Sequence, residues 1–431
     1  MNLFSAACFI VCLLFLVESF RRESDLFSPG RMFVMIWTLA FGLMELKLSR
    51  LQNVWPTEVW LQVVLGPLAF LTGVFIIYVQ NLDRPLRRLN DVRLVWQAHD
   101  VHAGRLFRVV VLLFGLYALA FCIILFLKGI TPPLFSDRPG ESRVEFTMFG
   151  IGLFLHNVAP IMFLTVVYAV SVEGQRSRKW MLGLLSFLAV LTYLTLLQRY
   201  QLMFGAVMAV GVAYYTTRHL RWATVIPYIA GAVGVFYWVS TLRSAIKLFL
   251  VYLYLASRMK FPVEYAWATE PYMYVSMNLE NLARGIERLQ QHTYGYYTFN
   301  FLASLSGLKH WIETYFALDE TPFLVSSYNT YTAFWVMYRD FGIAGIMVLP
   351  LLAGLLIAWL YYAMRRAPSL ESIALYSLCI FVILISFFND PLAFLWFVYS
   401  IAIGAAALRY TRAEHPRSLG TPSPRKSTNE H

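Results

Sequence analysis

Apolar runs dominate the pattern of the chain. They fall at about 3–20, 32–50, 58–80, 106–128, 148–171, 180–197, 201–217, 222–241, 341–363, 371–388 and 392–408. Each approaches the roughly 20 residues that an α-helix needs to cross a bilayer, and none alternates with the period of a strand. The pattern predicts an all-α polytopic membrane protein with about eleven transmembrane helices. One further run, 245–256, is too short to span and is expected to lie on the membrane face. Between 242 and 340 the pattern breaks into one long, polar and aromatic loop. Residues 1–412 read as a single integral membrane domain, with the 242–340 loop carrying the site. Residues 413–431, rich in Pro, Ser and charge, read as a disordered cytoplasmic tail.

Charge sharpens the picture. Only 14% of the 431 residues are charged, against roughly a quarter in soluble domains. The net charge of +11 could suggest nucleic acid in a soluble chain. Here the short basic connections account for it: Arg21–Arg31, Asp83–Arg108, Arg176–Lys179, Arg218–Arg221, Arg365–Arg366 and the tail from Arg409. Placed in the cytoplasm by the positive-inside rule, they alternate correctly with the spans. The 242–340 loop then faces outward, together with 51–57, 129–147, the turn at Arg199 and 388–391. No nucleic-acid partner is expected; the partner is a lipid bilayer. The four cysteines lie in apolar runs without metal spacing, so neither a metal site nor a cofactor is expected.

The outward connections nevertheless carry arginine: Arg138, Arg143, Arg199, Arg243, Arg284, Arg288 and Arg339. A guanidinium keeps its charge at any working pH, and its fork matches two phosphate oxygens. Each residue has a plainer role. Arg199 and Arg243 sit at span ends, where they can snorkel to headgroups. Glu280 and Arg284 stand four residues apart on a candidate amphipathic helix, as for a solvated ion pair. Asp340 can cap the ninth span, and Asp390–Pro391 fits a cap followed by proline at the first helical position. Tyr328, Tyr331, Phe334, Trp335 and Tyr338 suit an interfacial aromatic belt. Taken together, several outward arginines at the mouth of one helical bundle form a cationic pocket of pyrophosphate size.

Three stretches also carry a resemblance. They are GITPPLFSDRPGESRVEF (129–146), Arg199 within LQRYQ, and NTYTAFWVMYRDFGIAGIMVLPLLAG (329–354). With many spans and one long late outer loop, the chain resembles the bacterial oligosaccharide repeat-unit polymerases, the Wzy-type O-antigen polymerase family. The resemblance implies a metal-independent, inverting glycosyltransferase in the bacterial inner membrane. It would join undecaprenyl-pyrophosphate-linked oligosaccharide repeat units at the periplasmic face. It implies pyrophosphate contacts for Arg199, Arg243 and Arg339, and for Arg284 and Arg288. Tyr328, Asn329 and Tyr338 are further substrate-binding candidates. Asp340 is the first candidate base, beside Arg339, with His310, Glu280 and Glu287 as alternatives; His292 or His310 could hold the place of the loop histidine that the related ligases use. An O-antigen ligase acting on lipid A-core would use the same donor. A lipid-linked oligosaccharide flippase would carry mid-membrane charge and internal repeats; the spans show only Glu45 and Lys47, and no repeat is visible. Sugar identity, linkage and any polysaccharide chain-length regulator as partner stay open.

Overall fold

The protein is described from a computed structural model over residues 2–21, 24–96, 101–217, 234, 246–289, 291–312 and 323–412. Arg243, the run at 222–241 and the tail 413–431 lie outside the described residues. Among those residues the chain is helical, with isolated β-bridges but no strand. The helices are α1 (Leu3–Ser19), α2 (Pro29–Met44), α3 (Thr57–Gln80), α4 (Leu89–Trp96), α5 (Ala103–Lys128), α6 (Pro139–Glu145), α7 (Val158–Ser171), α8 (Arg176–Leu194) and α9 (Tyr200–Thr216). They continue as α10 (Ile246–Ala256), α11 (Thr269–Arg288), α12 (Asn300–Ser306), α13 (Lys309–Ile312), α14 (Ala333–Arg366), α15 (Leu370–Ile385) and α16 (Leu395–Thr411). Among the described residues, four stretches are long and apolar enough to cross a membrane: 57–80, 103–128, 151–171 and 333–366. The remaining apolar runs within the described residues are each matched by a shorter helix.

The bundle is assembled through small residues. At Gly73 of α3 a Cβ would overlap the backbone of Leu351 on α14, and at Gly354 of α14 it would overlap the backbone of Phe70 on α3. Helices surrounded by lipid gain nothing from burying one greasy surface against another. They associate where small residues let backbones approach.

Among the described residues, contacts gather connections at two ends of the bundle. At the basic end, Arg365 meets Asp25 at 3.0 Å and donates to the Arg87 carbonyl at 2.7 Å. Arg93 donates to the Tyr214 carbonyl at 2.9 Å, and the His102 amide to the Thr411 carbonyl at 2.9 Å. At the opposite end, Ser49 bridges Met259, the Lys260 amide donates to Leu48, and the Ala333 amide donates to the Ser386 carbonyl at 2.7 Å. The apolar run at 245–256 forms the short α10 on this second end, tied to the 46–52 turn through Ser257, Arg258 and Lys260.

Two expectations are corrected. The second span ends at Met44, so Glu45 caps it and Lys47 lies in the following turn, paired with Glu45 at 3.5 Å. Neither charge is buried within a span. The ninth span begins early, at Ala333 behind Thr332, and Asp340 is therefore not its cap. The break comes at Gly342, whose φ of 61° and ψ of −143° interrupt the helix just after Asp340. Only glycine takes that conformation at little cost. Asp390 does cap, accepting from the Leu392 amide at 3.0 Å with Pro391 behind it.

Candidate functional site

The end opposite the basic connections gathers cations from parts of the chain far apart in sequence. Its first locus joins Arg143 and Arg199. Arg143 stands on α6, a short helix held against the bundle. Ser142 donates to the Thr131 carbonyl at 3.2 Å, and the Lys128 ammonium donates to the carbonyls of Glu145 and Thr147. The Leu134 amide donates to Thr195, joining this loop to the end of α8. Arg199 closes the α8–α9 turn, where Leu197 takes a positive φ of 54° and Tyr193 donates to the Gln198 side chain at 2.9 Å. Burial, and then the nearby charge of Arg199, push the Arg143 pKa below its ordinary value. Two guanidinium groups are thus held within electrostatic reach and partly out of water, an arrangement that an anion would relieve.

Aromatic rings wall this locus. Tyr193, Tyr200 and Tyr274 lie within electrostatic reach of Arg143. The Tyr274 ring on α11 packs against Phe388 at 5.7 Å and edge-on against Tyr328 at 5.3 Å. Tyr200 completes the wall against Phe388 at 5.8 Å. Tyr328 itself is buried beneath Tyr274, and burial raises its phenol pKa. Asn329 is exposed beside it.

A second locus forms around α11 and the start of α14. α11 is the amphipathic helix expected around Arg284 and Arg288. Asn278 and Asn281 on its buried face latch the segment before α14: Asn281 donates to the carbonyls of Tyr328 and Thr330 at 3.0 and 2.9 Å, and the Thr330 hydroxyl donates to Asn278 at 2.6 Å. Tyr331 then stacks on Trp335 at 4.6 Å, and Trp335 on Tyr338 at 6.4 Å. Arg284 is half-buried near Tyr331, with Arg288 exposed one turn on. Partial burial, and then the Arg288 charge, lower the Arg284 pKa. Arg339 is only 6% exposed and lies over the rings of Tyr297 at 4.1 Å and Trp335 at 5.8 Å. Its Nε has no hydrogen-bond partner. A buried guanidinium facing rings rather than a carboxylate is ready for an anionic ligand.

Asp340 has another task. Its carboxylate is 0% exposed and accepts from the Thr293 hydroxyl at 2.5 Å and from the Tyr297 and Thr298 amides at 3.2 and 2.6 Å. It holds the 293–298 turn against α14. The Thr293 and Tyr294 amides reinforce the contact by donating to the carbonyls of Arg339 and Asp340. The exposed His292 lies beside them, its Nδ1 3.3 Å from the Arg339 carbonyl oxygen. The His310 side chain lies outside the described residues.

Glu280 does not form the expected ion pair with Arg284. It is turned inward, accepting from the Trp55 indole at 2.9 Å and from the Gln52 amide at 3.4 Å. Burial, opposed by these bonds, raises its pKa to about 7. A solvated salt-bridged face is thus replaced by a buried link between α11 and the loop before α3.

Sequence reasoning named Arg199 and Arg143 separately; only the fold sets them together. It missed Tyr274, Tyr200 and Phe388, because single aromatics next to apolar runs carry no periodic signal. No protein-family model, curated protein or solved structure matches the chain.

Proposed function

We propose that this chain is a membrane-embedded glycosyltransferase that joins undecaprenyl-pyrophosphate-linked repeat units into a surface polysaccharide at the periplasmic face of the inner membrane. One observation carries the reading: two cationic loci at one end of the bundle, both built partly on α11. Tyr274 borders the first and Arg284 belongs to the second. Ten residues of helix separate them, about 15 Å at 1.5 Å per residue. A polymerase must hold two lipid diphosphates at once, a donor carrying the growing chain and an acceptor carrying one repeat unit. Two anion-binding loci flanked by aromatic rings meet that need.

The chemistry follows from the groups present. The acceptor hydroxyl attacks the anomeric carbon of the donor sugar, and the glycosyl–oxygen bond to the diphosphate breaks. Charge that develops on the departing diphosphate is met by Arg143 and Arg199, acting as preorganised donors in a site shielded from water. Tyr274, Tyr331 and Trp335 offer faces on which sugar rings can stack. For the acceptor proton the chain offers two groups near Arg339: the exposed imidazole of His292 and, behind the 293–298 turn, the carboxylate of Asp340.

The test is reconstitution. Purified protein in lipid vesicles, supplied with polyprenyl-diphosphate-linked repeat units, is expected to yield a ladder of lengthened glycans with release of polyprenyl diphosphate. Product formed only when lipid A-core is added would make the chain a ligase. Movement of the lipid-linked glycan across the bilayer without any new bond would make it a transporter.

A further inference from the structure

A cavity lies far from these loci, at the basic end of the bundle. It runs between α15 and α16, has a volume of about 300 Å³, and is floored by Phe163 of α7 and Met208 of α9. Leu375, Leu378, Ile401 and Leu408 line its length. Gly404 opens it: a Cβ there would meet nothing nearer than the Phe163 ring at 4.0 Å. From Ser400 to Leu408 the apolar channel extends about 12 Å along the helix. At its mouth stand Arg409, Arg412 and Glu371.

The mouth is net cationic and wet. Arg412 reaches Glu371 at 3.8 Å, with side chains 74% and 45% exposed. An ion pair so exposed contributes little and yields readily to a competitor. Arg409 lies one turn before it in the last turn of α16, next to the exposed Tyr410. An apolar slot about one acyl segment deep, opening between two arginines at the level where a span ends, matches one chemistry. The phosphate of a lipid meets the guanidinium groups while a fatty-acyl chain enters the slot.

We infer that the α15–α16 groove is a binding site for an anionic glycerophospholipid of the leaflet on the basic side. Selectivity comes from charge at the mouth and retention from the slot. This site shares no residue with the two cationic loci, so it stands or falls apart from the glycosyltransferase reading.

Native mass spectrometry of the full chain, released from mixed vesicles of phosphatidylglycerol and phosphatidylcholine with matched acyl chains, tests it. One phosphatidylglycerol is expected to stay bound, favoured over phosphatidylcholine by about thirtyfold. Arg409→Ala with Arg412→Ala should cut that preference roughly thirtyfold, since each arginine near a lipid surface contributes about fivefold. Glu371→Gln should strengthen retention by removing the competing carboxylate. Gly404→Leu should fill the slot and release both lipids; Leu375→Trp, on a position 39% exposed, obstructs it from the rim if the glycine variant does not assemble. Millimolar inorganic phosphate should not displace the lipid. Equal occupancy by both lipids, or retention unchanged in the arginine and slot variants, would overturn the inference. So would lipid binding that appears only once the chain is cut after Arg412, which would assign the groove to the segment that follows.

Discussion

The two ends of the bundle use arginine in opposite ways. At the basic end Arg365 is fully engaged: Asp25 takes its charge at 3.0 Å, the Tyr361 hydroxyl accepts at 2.8 Å, and the Arg87 carbonyl accepts two further bonds. Asp25 in turn accepts from Tyr215, Tyr361 and the Phe27 amide. At the other end Arg143 and Arg199 act against each other, and Arg339 rests on Tyr297 and Trp335. A cation whose partners belong to the chain holds a fold together. A buried cation that lies over rings with its Nε unbonded, as Arg339 does, keeps part of its charge for a further anion. Arg365 is a fastener of the fold, whereas under the proposed function the opposite end acts as a receptor.

The largest effect tests the receptor end. Arg199→Ala and Arg143→Ala should each lower polymer formation about 100-fold or more, with extraction and thermal unfolding unchanged. Lysine at either position should restore only part, because it keeps the charge and loses the fork. Glycan ladders from a complemented null strain report this. Wild-type ladders from both alanine variants would reduce these residues to headgroup anchors and erase the contrast between the ends.

The fastener end should show the reverse. Arg365→Ala leaves the Asp25 carboxylate buried without its counter-charge, at a cost of about 3–5 kcal/mol. Size-exclusion profiles should show loss of folded protein. The double change Asp25→Asn with Arg365→Met should recover much of it, since no buried charge then remains. A stable, active Arg365→Ala variant would mean that the basic end tolerates an open charge as well.

Glu280 sharpens the boundary between holding and binding. Burial raises its pKa from 4.5 to about 7, so between those values the folded chain binds a proton that the unfolded chain has lost. Stability from this group is therefore complete below about pH 4.5, falls as pH rises towards 7, and is flat above. The difference is on the order of 3 kcal/mol. Thermal midpoints measured at about pH 5 and pH 8 should differ more in the wild type than in Glu280→Gln. Equal pH dependence in the two proteins would remove the buried link between α11 and the Gln52–Trp55 loop as its source.

The smallest effect concerns Asp340. Asparagine there keeps one acceptor oxygen and turns an amide against a donor of the 293–298 turn, which should cost about 2 kcal/mol in thermal stability. A variant of unchanged stability that loses about 100-fold in rate would make Asp340 the base. A destabilised variant with near-normal rate would make it a fastener at the receptor end and pass the proton to His292.

Much of the architecture is legible in the order of residues. The apolar runs announced helices, and several of the basic connections do meet at one end, because both are local consequences of exposing side chains to lipid or to charged surface. Asp390–Pro391 likewise acts within a few residues of itself. The error over Asp340 was also local: the aromatic residues from Ala333 onward look like loop, but Tyr331, Trp335 and Tyr338 find a stack only after the helix has formed.

What the sequence determined alone was the helical, membrane-compatible class of the chain and the arginines in its less basic connections, since hydropathy and charge are sums over neighbours. The tertiary structure alone decided which arginines meet. Arg143 comes within electrostatic reach of Arg199 because the loop before α6 bonds through the Leu134 amide to Thr195 at the end of α8, and Glu280 abandons Arg284 because Trp55 and Gln52 arrive from a different hairpin. These choices depend on contacts between segments tens to hundreds of residues apart, and no pattern within one segment records them.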